Sequence, residues 1–150
     1  MTVRTVQFFA IVISALALVP SGAHLFALPN KIDLPQSQYL TVQGIYYGWA
    51  ALGFLWPAAA VLNAVLAALV RHQTLPFWLA TLAALCFLAM LTVFFMWTFP
   101  ANQATDNWTI LPENWEILKR QWEYSHAVNA AFALLAFCLL TLSALSWRPE

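Results

Sequence analysis

Four apolar runs, each long enough to cross a bilayer, divide the chain at residues 6–28, 45–70, 75–99 and 124–147. A crossing helix needs about 20 predominantly apolar residues. The lipid interior offers no water to backbone N–H and C=O groups, so a spanning segment must close its own hydrogen bonds, as a helix does. None of the four runs shows the alternation of a membrane barrel strand. Composition agrees: 63% of the residues are hydrophobic and 8% are charged, whereas a soluble domain carries about 25% charged residues. The expected fold is all-α: one integral membrane four-helix bundle over residues 1–150, with helices at about 5–28, 35–70, 75–99 and 112–147.

The first run has Arg4 before it and "PSGAH" after it, in the manner of a secretory leader. Its length favours a retained span. Four crossings place both termini on one side, together with the "RHQT" connection. The longer connections, 29–44 and 100–123, lie on the other side. Basic residues divide evenly, with Arg4, Arg71 and Arg148 on the terminal side and Lys31, Lys119 and Arg120 opposite. Acids do not: Asp33, Asp106, Glu113, Glu116 and Glu123 face Glu150 alone. Acids carry little orienting weight. They lean the termini towards the cytoplasm, and the expected location is a bacterial inner membrane. The formal net charge of zero leaves no basic field for nucleic acid. Cys86 and Cys138 lie far apart in apolar runs, matching neither a disulfide framework nor a zinc spacing.

The halves share a layout. "DLPQSQYLTVQGIYYGWA" and "ILPENWEILKRQWEYSHA" align Pro35 with Pro112, Tyr47 with Tyr124 and Ala50 with Ala127. Proline suits a first helical turn, and Asp33 is a cap candidate. Helices 2 and 4 are therefore expected to start at these prolines and to project beyond the lipid.

Polar residues gather at that projecting end. Trp115, Lys119, Trp122, His126 and Asn129 alternate by four and three, so they share one helical face, with Glu123 at its edge. Tyr39, Gln43 and Tyr46 form a comparable stripe on helix 2. His24 lies about one turn before Pro29, and helix 3 ends with Trp97 and Asn102. The opposite end has much less, chiefly Asn63, Arg71 and His72. Polar groups inside lipid are costly and usually face a bundle interior or cavity. A pocket lined by His24, Gln43, Tyr46, His126 and Asn129 is the expected site. Two plainer readings stand beside it. The tryptophans can form an interfacial belt, and Glu116 with Arg120, or Lys119 with Glu123, can be solvated i,i+4 pairs. Glu123-x-x-His126 has the spacing used in di-iron bundles, but the second motif and further carboxylates are missing. His24, Glu123 and His126 could at most supply a mononuclear ligand set, and the two histidines could be axial haem ligands.

"HLFALPNKIDLPQSQYLTVQGIYYGW" and "FPANQATDNWTILPENWEILKRQWEYSHAVNA" resemble the anthrone-oxygenase-like family of small four-helix membrane proteins, much of it catalogued as a domain of unknown function. The resemblance runs from the first helix through the fourth. It implies a membrane bundle and, in the family's characterised branch, oxygenation of an anthrone to an anthraquinone with no bound cofactor. Such chemistry needs a base for an acidic C–H group. A histidine suits that role, with His126 first and His24 second. Gln43, Tyr46 or Asn129 would hold a developing oxyanion, and Trp97 and Trp122 would stack on a flat ring. Three functions stay open. One is an oxidoreductase acting on a lipophilic aromatic or quinone-like molecule. Another is a non-enzymatic membrane subunit or homo-oligomer docking through Tyr39, Trp115 and Trp122. The third is a redox subunit binding haem or metal. Membrane lipids are expected neighbours in each.

Overall fold

The computed structural model describes residues 2–149; Glu150, counted above with the terminal side, lies outside them. Among the described residues all regular structure is helical, and four helical stretches are long and apolar enough to cross a membrane. The elements are α1 (Val3–Lys31), α2 (Gln36–Gln43), α3 (Leu55–Leu69), α4 (Thr74–Val93), α5 (Phe99–Ala104) and α6 (Trp115–Ser146). α1 packs on α3 and α6, and α4 closes the ring by packing on the same two helices.

Each spanning helix turns small residues inward. The buried face of α1 reads Gln7, Ala10, Ser14, Ala17, Ser21, His24 and Lys31, a strict alternation of three and four apart from one skipped position. α6 answers with Trp122, His126, Asn129, Ala133, Ala136, Leu140 and Ser143. Small side chains let helix backbones approach closely where lipid supplies no hydrophobic drive for association. Phe87, Met90, Leu66 and Leu140 fill the space that remains. Large apolar side chains such as Phe8, Val19, Phe26, Leu85 and Leu145 face outward, a surface fitted to lipid. Asn63 is buried mid-span. Its amide donates to the Ala59 carbonyl at 2.8 Å and to Ser14 Oγ at 3.4 Å.

Helix ends differ from expectation in three places. α1 does not stop before Pro29 but runs through it to Lys31. The second helix is not continuous from 35 to 70. α2 gives way to a tight 3-10 turn at Gly44–Tyr46, Gly48 adopts φ 84°, and a 3-10 stretch at Trp49–Phe54 leads into α3. Only glycine takes that backbone without strain, so the apolar run bends there. α6 begins at Trp115 rather than at Pro112, and α2 has Pro35 at its cap without a side-chain hydrogen bond. Asp33 caps nothing; its carboxylate lies 3.9 Å from Arg120 in an exposed pair. The sequence likeness between the halves therefore does not extend to the backbone. Tyr47 sits fully exposed in the turn, while Tyr124 lies within a continuous helix.

After α4 the backbone widens to a π-helical turn at Phe94–Thr98. Phe99 N–H bonds the Phe94 carbonyl, just before Pro100, which has no N–H to give. Beyond α5, Asp106, Asn107 and Trp108 all take positive φ (44°, 54° and 68°). Thr105 anchors this turn. Its Oγ1 accepts from Trp108 N–H at 3.1 Å, and its carbonyl accepts from Thr109 and Ile110. The result drives the Trp108 ring inward, against Tyr39 and Trp122.

Candidate functional site

α1 and α6 cross antiparallel, and two contacts fix their register. His24 lies on His126 with ring centroids 4.0 Å apart and planes within 21° of parallel. Lys31, two turns further along α1, places Nζ 3.1 Å from Glu123 Oε1. Since both helices rise equally per residue, the same register sets Ser21 level with Asn129 and Ala17 level with Ala133.

Around the carboxylate a hydrogen-bond chain forms. Gln43 Nε2 donates to the Tyr39 hydroxyl at 2.7 Å, and Tyr39 donates to Glu123 Oε1 at 2.9 Å. Lys31 Nζ donates to the Tyr46 hydroxyl at 3.0 Å and also lies over the Tyr46 and Trp122 rings. Tyr46 then meets His24, ring to ring, at 4.2 Å. Trp122 stands edge-on to both histidines and donates its indole N–H to Asn102 Oδ1 at 2.8 Å. One contiguous assembly thus runs from Gln43 through Tyr39, Glu123, Lys31 and Tyr46 to the two imidazoles. Burial, followed by the adjacent Glu123 carboxylate, pushes the Tyr39 phenol far above its ordinary range, so it stays a donor.

Several buried polar atoms in this assembly have no protein partner: His24 Nδ1, Glu123 Oε2 and both amide atoms of Asn129. Leaving such a group unpaired costs about 1–3 kcal/mol. Native interiors rarely carry several in one place unless they serve a ligand, water or chemistry.

The structure brings His24, His126, Gln43, Tyr46 and Trp122 together, with Asn129 buried one turn below His126. It does not bring Trp97. That ring faces outward, and only its backbone carbonyl is engaged, by Gln121 Nε2 at 2.8 Å. Trp97 lies within the π-helical turn and is exposed. Nor are the tryptophans simply a belt. Trp108 and Trp122 are buried, with Trp115 against Tyr39 and Trp49 against His24 and Tyr46. The supposed Lys119–Glu123 surface pair is buried and re-partnered. Glu123 takes Lys31, while Lys119 Nζ lies over the Tyr39 and Trp115 rings. Arg120 turns to Asp33 and not to Glu116. Of the docking residues Tyr39, Trp115 and Trp122, Tyr39 and Trp122 are buried and only Trp115 is partly exposed.

Lys31 is the member that sequence reasoning missed. Its signal was the seven-residue spacing from His24, which keeps both on one face once α1 is allowed past Pro29. The metal reading does not assemble. Among the described residues no group of three His, Cys, Asp or Glu side chains comes together to hold an ion, and Lys31 and Tyr39 both contact Glu123 Oε1. Haem between the histidines is also incompatible with this arrangement, because the imidazoles present faces to one another at 4.0 Å and leave no gap for an iron.

No family model matches the chain, and no curated protein or solved structure does.

Proposed function

We propose that the protein is a small membrane oxidoreductase that deprotonates a lipophilic phenolic or quinone-like molecule at the His24–His126 pair. The observation that carries this reading is the buried imidazole stack, with His24 Nδ1 unpaired beside the Lys31–Glu123–Tyr39 network. An unpaired imidazole nitrogen can accept a proton from an acidic C–H or O–H group. The Tyr46 hydroxyl and the Asn129 amide are suited to an oxyanion, and Trp122 and Trp49 offer aromatic walls. The resemblance to anthrone-oxygenase-like proteins points the same way. For an anthrone, the base removes one proton from the ring CH2 group. The carbanion forms a C–O bond with dioxygen, and loss of water leaves a carbonyl. Overall, CH2 plus O2 becomes C=O plus H2O, with dioxygen as the oxidant.

In this reading both termini lie on one side, at the cytoplasmic face of a bacterial inner membrane, and the α2 arm and the start of α6 stand beyond the lipid with the site beneath them. The test is oxygen uptake by protein in nanodiscs supplied with an anthrone. One O2 should be consumed per quinone formed, and His24→Gln and His126→Gln should each lower turnover at least about 100-fold with the helix content unchanged. No uptake above empty nanodiscs, or undiminished turnover in both variants, would overturn the reading.

A further inference from the structure

A second feature of the same end is independent of that reaction. Lys31, Lys119 and Glu123 are the charged side chains buried among the described residues, at 2%, 5% and 1% exposure. Two cations and one anion leave a surplus positive charge. Lys31 holds the carboxylate at 3.1 Å; Lys119 makes no ion pair among the described residues. Its Nζ has one long contact, 3.4 Å to the Leu34 carbonyl, and otherwise faces the Trp115 and Tyr39 rings at 4.8 and 5.3 Å. An ammonium has three donors. Burying one beside only a carboxylate that Lys31 already holds is costly.

Lys119 also lines an open cavity of about 220 Å³ between the end of α1 and the start of α6, walled by Ile32, Leu34, Pro35 and Trp115. The other charges around it are Asp33, Glu116 and Arg120, all exposed. Asp33 is already faced by Arg120, and exposed charges are screened by water and salt. The buried ammonium is not. Depth fits a membrane-surface ligand. The fourth apolar run begins at Tyr124, and Lys119 lies five residues before it, roughly 7.5 Å along the helix. That reaches the headgroup layer, given a bilayer about 40–45 Å thick around a hydrocarbon core of about 30 Å.

We propose that the cavity beside Lys119 binds the anionic oxygen group of a phosphate-bearing ligand at the membrane surface. Lys119 is the buried donor, Trp115 the wall and Arg120 the outer cation. The bound anion neutralises the surplus charge and, through Tyr39 beneath Lys119, abuts the Glu123–Lys31 network.

Thermal unfolding in nanodiscs tests this. Wild type in phosphatidylglycerol should melt at least about 3 °C higher than in phosphatidylcholine. Lys119→Gln should lose most of that difference and Lys119→Arg should keep it. Inorganic phosphate added to phosphatidylcholine discs, against chloride at equal ionic strength, separates the sources. A shift there identifies a free anion, and a shift with phosphatidylglycerol alone identifies a lipid headgroup. No shift in either arm, or the same shift in Lys119→Gln as in wild type, would overturn the proposal. Should Lys119→Gln fail to fold, native mass spectrometry of wild type decides. Preferential retention of phosphatidylglycerol or phosphate over phosphatidylcholine supports the site, and no preference sinks it.

Discussion

At the scale of single residues, the Lys31–Glu123 pair carries the largest stake. Removing one partner of a buried ion pair strands the other, at about 3–5 kcal/mol, whereas replacing both with apolar side chains of similar volume is often nearly neutral. Lys31→Met and Glu123→Leu should therefore each destabilise the bundle severely in detergent unfolding. The double replacement should cost less than either single change; a double mutant as damaged as the sum of the singles would show that the pair is not coupled. Tyr39 adds a pH dependence. Its phenol titrates higher folded than the unfolded value of about 10, so its contribution is fully present below pH 10 and is lost as pH rises above it. Stability above pH 10 should fall by up to ~1.4 kcal/mol per unit in wild type relative to Tyr39→Phe, measured by chemical unfolding across that range. How far these residues could be read from sequence follows from helical period. Trp122, His126 and Asn129 share a face by spacing alone, and His24 reaches the same depth by its distance from Pro29. Lys31 was hidden because proline usually ends a helix, and here α1 continues past Pro29 to a buried ion pair.

Among the elements, the bend between α2 and α3 decides where Tyr39, Gln43 and Tyr46 arrive. Hydropathy runs without interruption from Ile45 to Val70, so nothing in that measure marks a break. The break is a dihedral: Gly48 at φ 84°, followed by a 3-10 stretch. Two glycines separate this cause from crowding. A Cβ at Gly48 or at Gly44 would meet no atom within 4 Å, but Gly44 has an ordinary helical φ of −57°. Gly48→Ala should therefore cost about 1–2 kcal/mol from backbone strain alone, while Gly44→Ala should be neutral or slightly stabilising. Equal effects in thermal unfolding would mean that the left-handed turn does not matter. Trp108 illustrates the same limit on sequence reading. Three consecutive positive φ values carry its ring to Tyr39 and Trp122, and no hydrophobic period predicts such a turn. The four spans were legible because bilayer thickness sets their length; the turns that close the site obey local dihedrals instead.

For the molecule as a whole, the described ends are tied together at one end of the bundle. Gln73, in the connection between α3 and α4, clasps the chain near its C-terminus: Nε2 donates to the Arg148 carbonyl at 2.6 Å and Oε1 accepts from Arg148 N–H at 3.0 Å. Val3, at the start of α1, lines a small hollow with Val70, His72, Gln73 and Trp147. Residues at the two described ends and the α3–α4 connection thus meet at one end of the bundle, while the charged assembly and the strained Asp106–Trp108 turn occupy the other. If all four long helices cross a membrane, these two groups lie on opposite faces. Single cysteines at Thr2, His72 and Arg148 should all react with a membrane-impermeant maleimide from one side of sealed vesicles, and a cysteine at Asn107 from the other, in a background with Cys86 and Cys138 replaced by Ala. The basic residues split evenly between the two sides, so the labelling is run on inverted and on right-side-out vesicles. If Thr2 and Asn107 label from the same side, the four-crossing arrangement fails and with it the placement of the site beneath one membrane face.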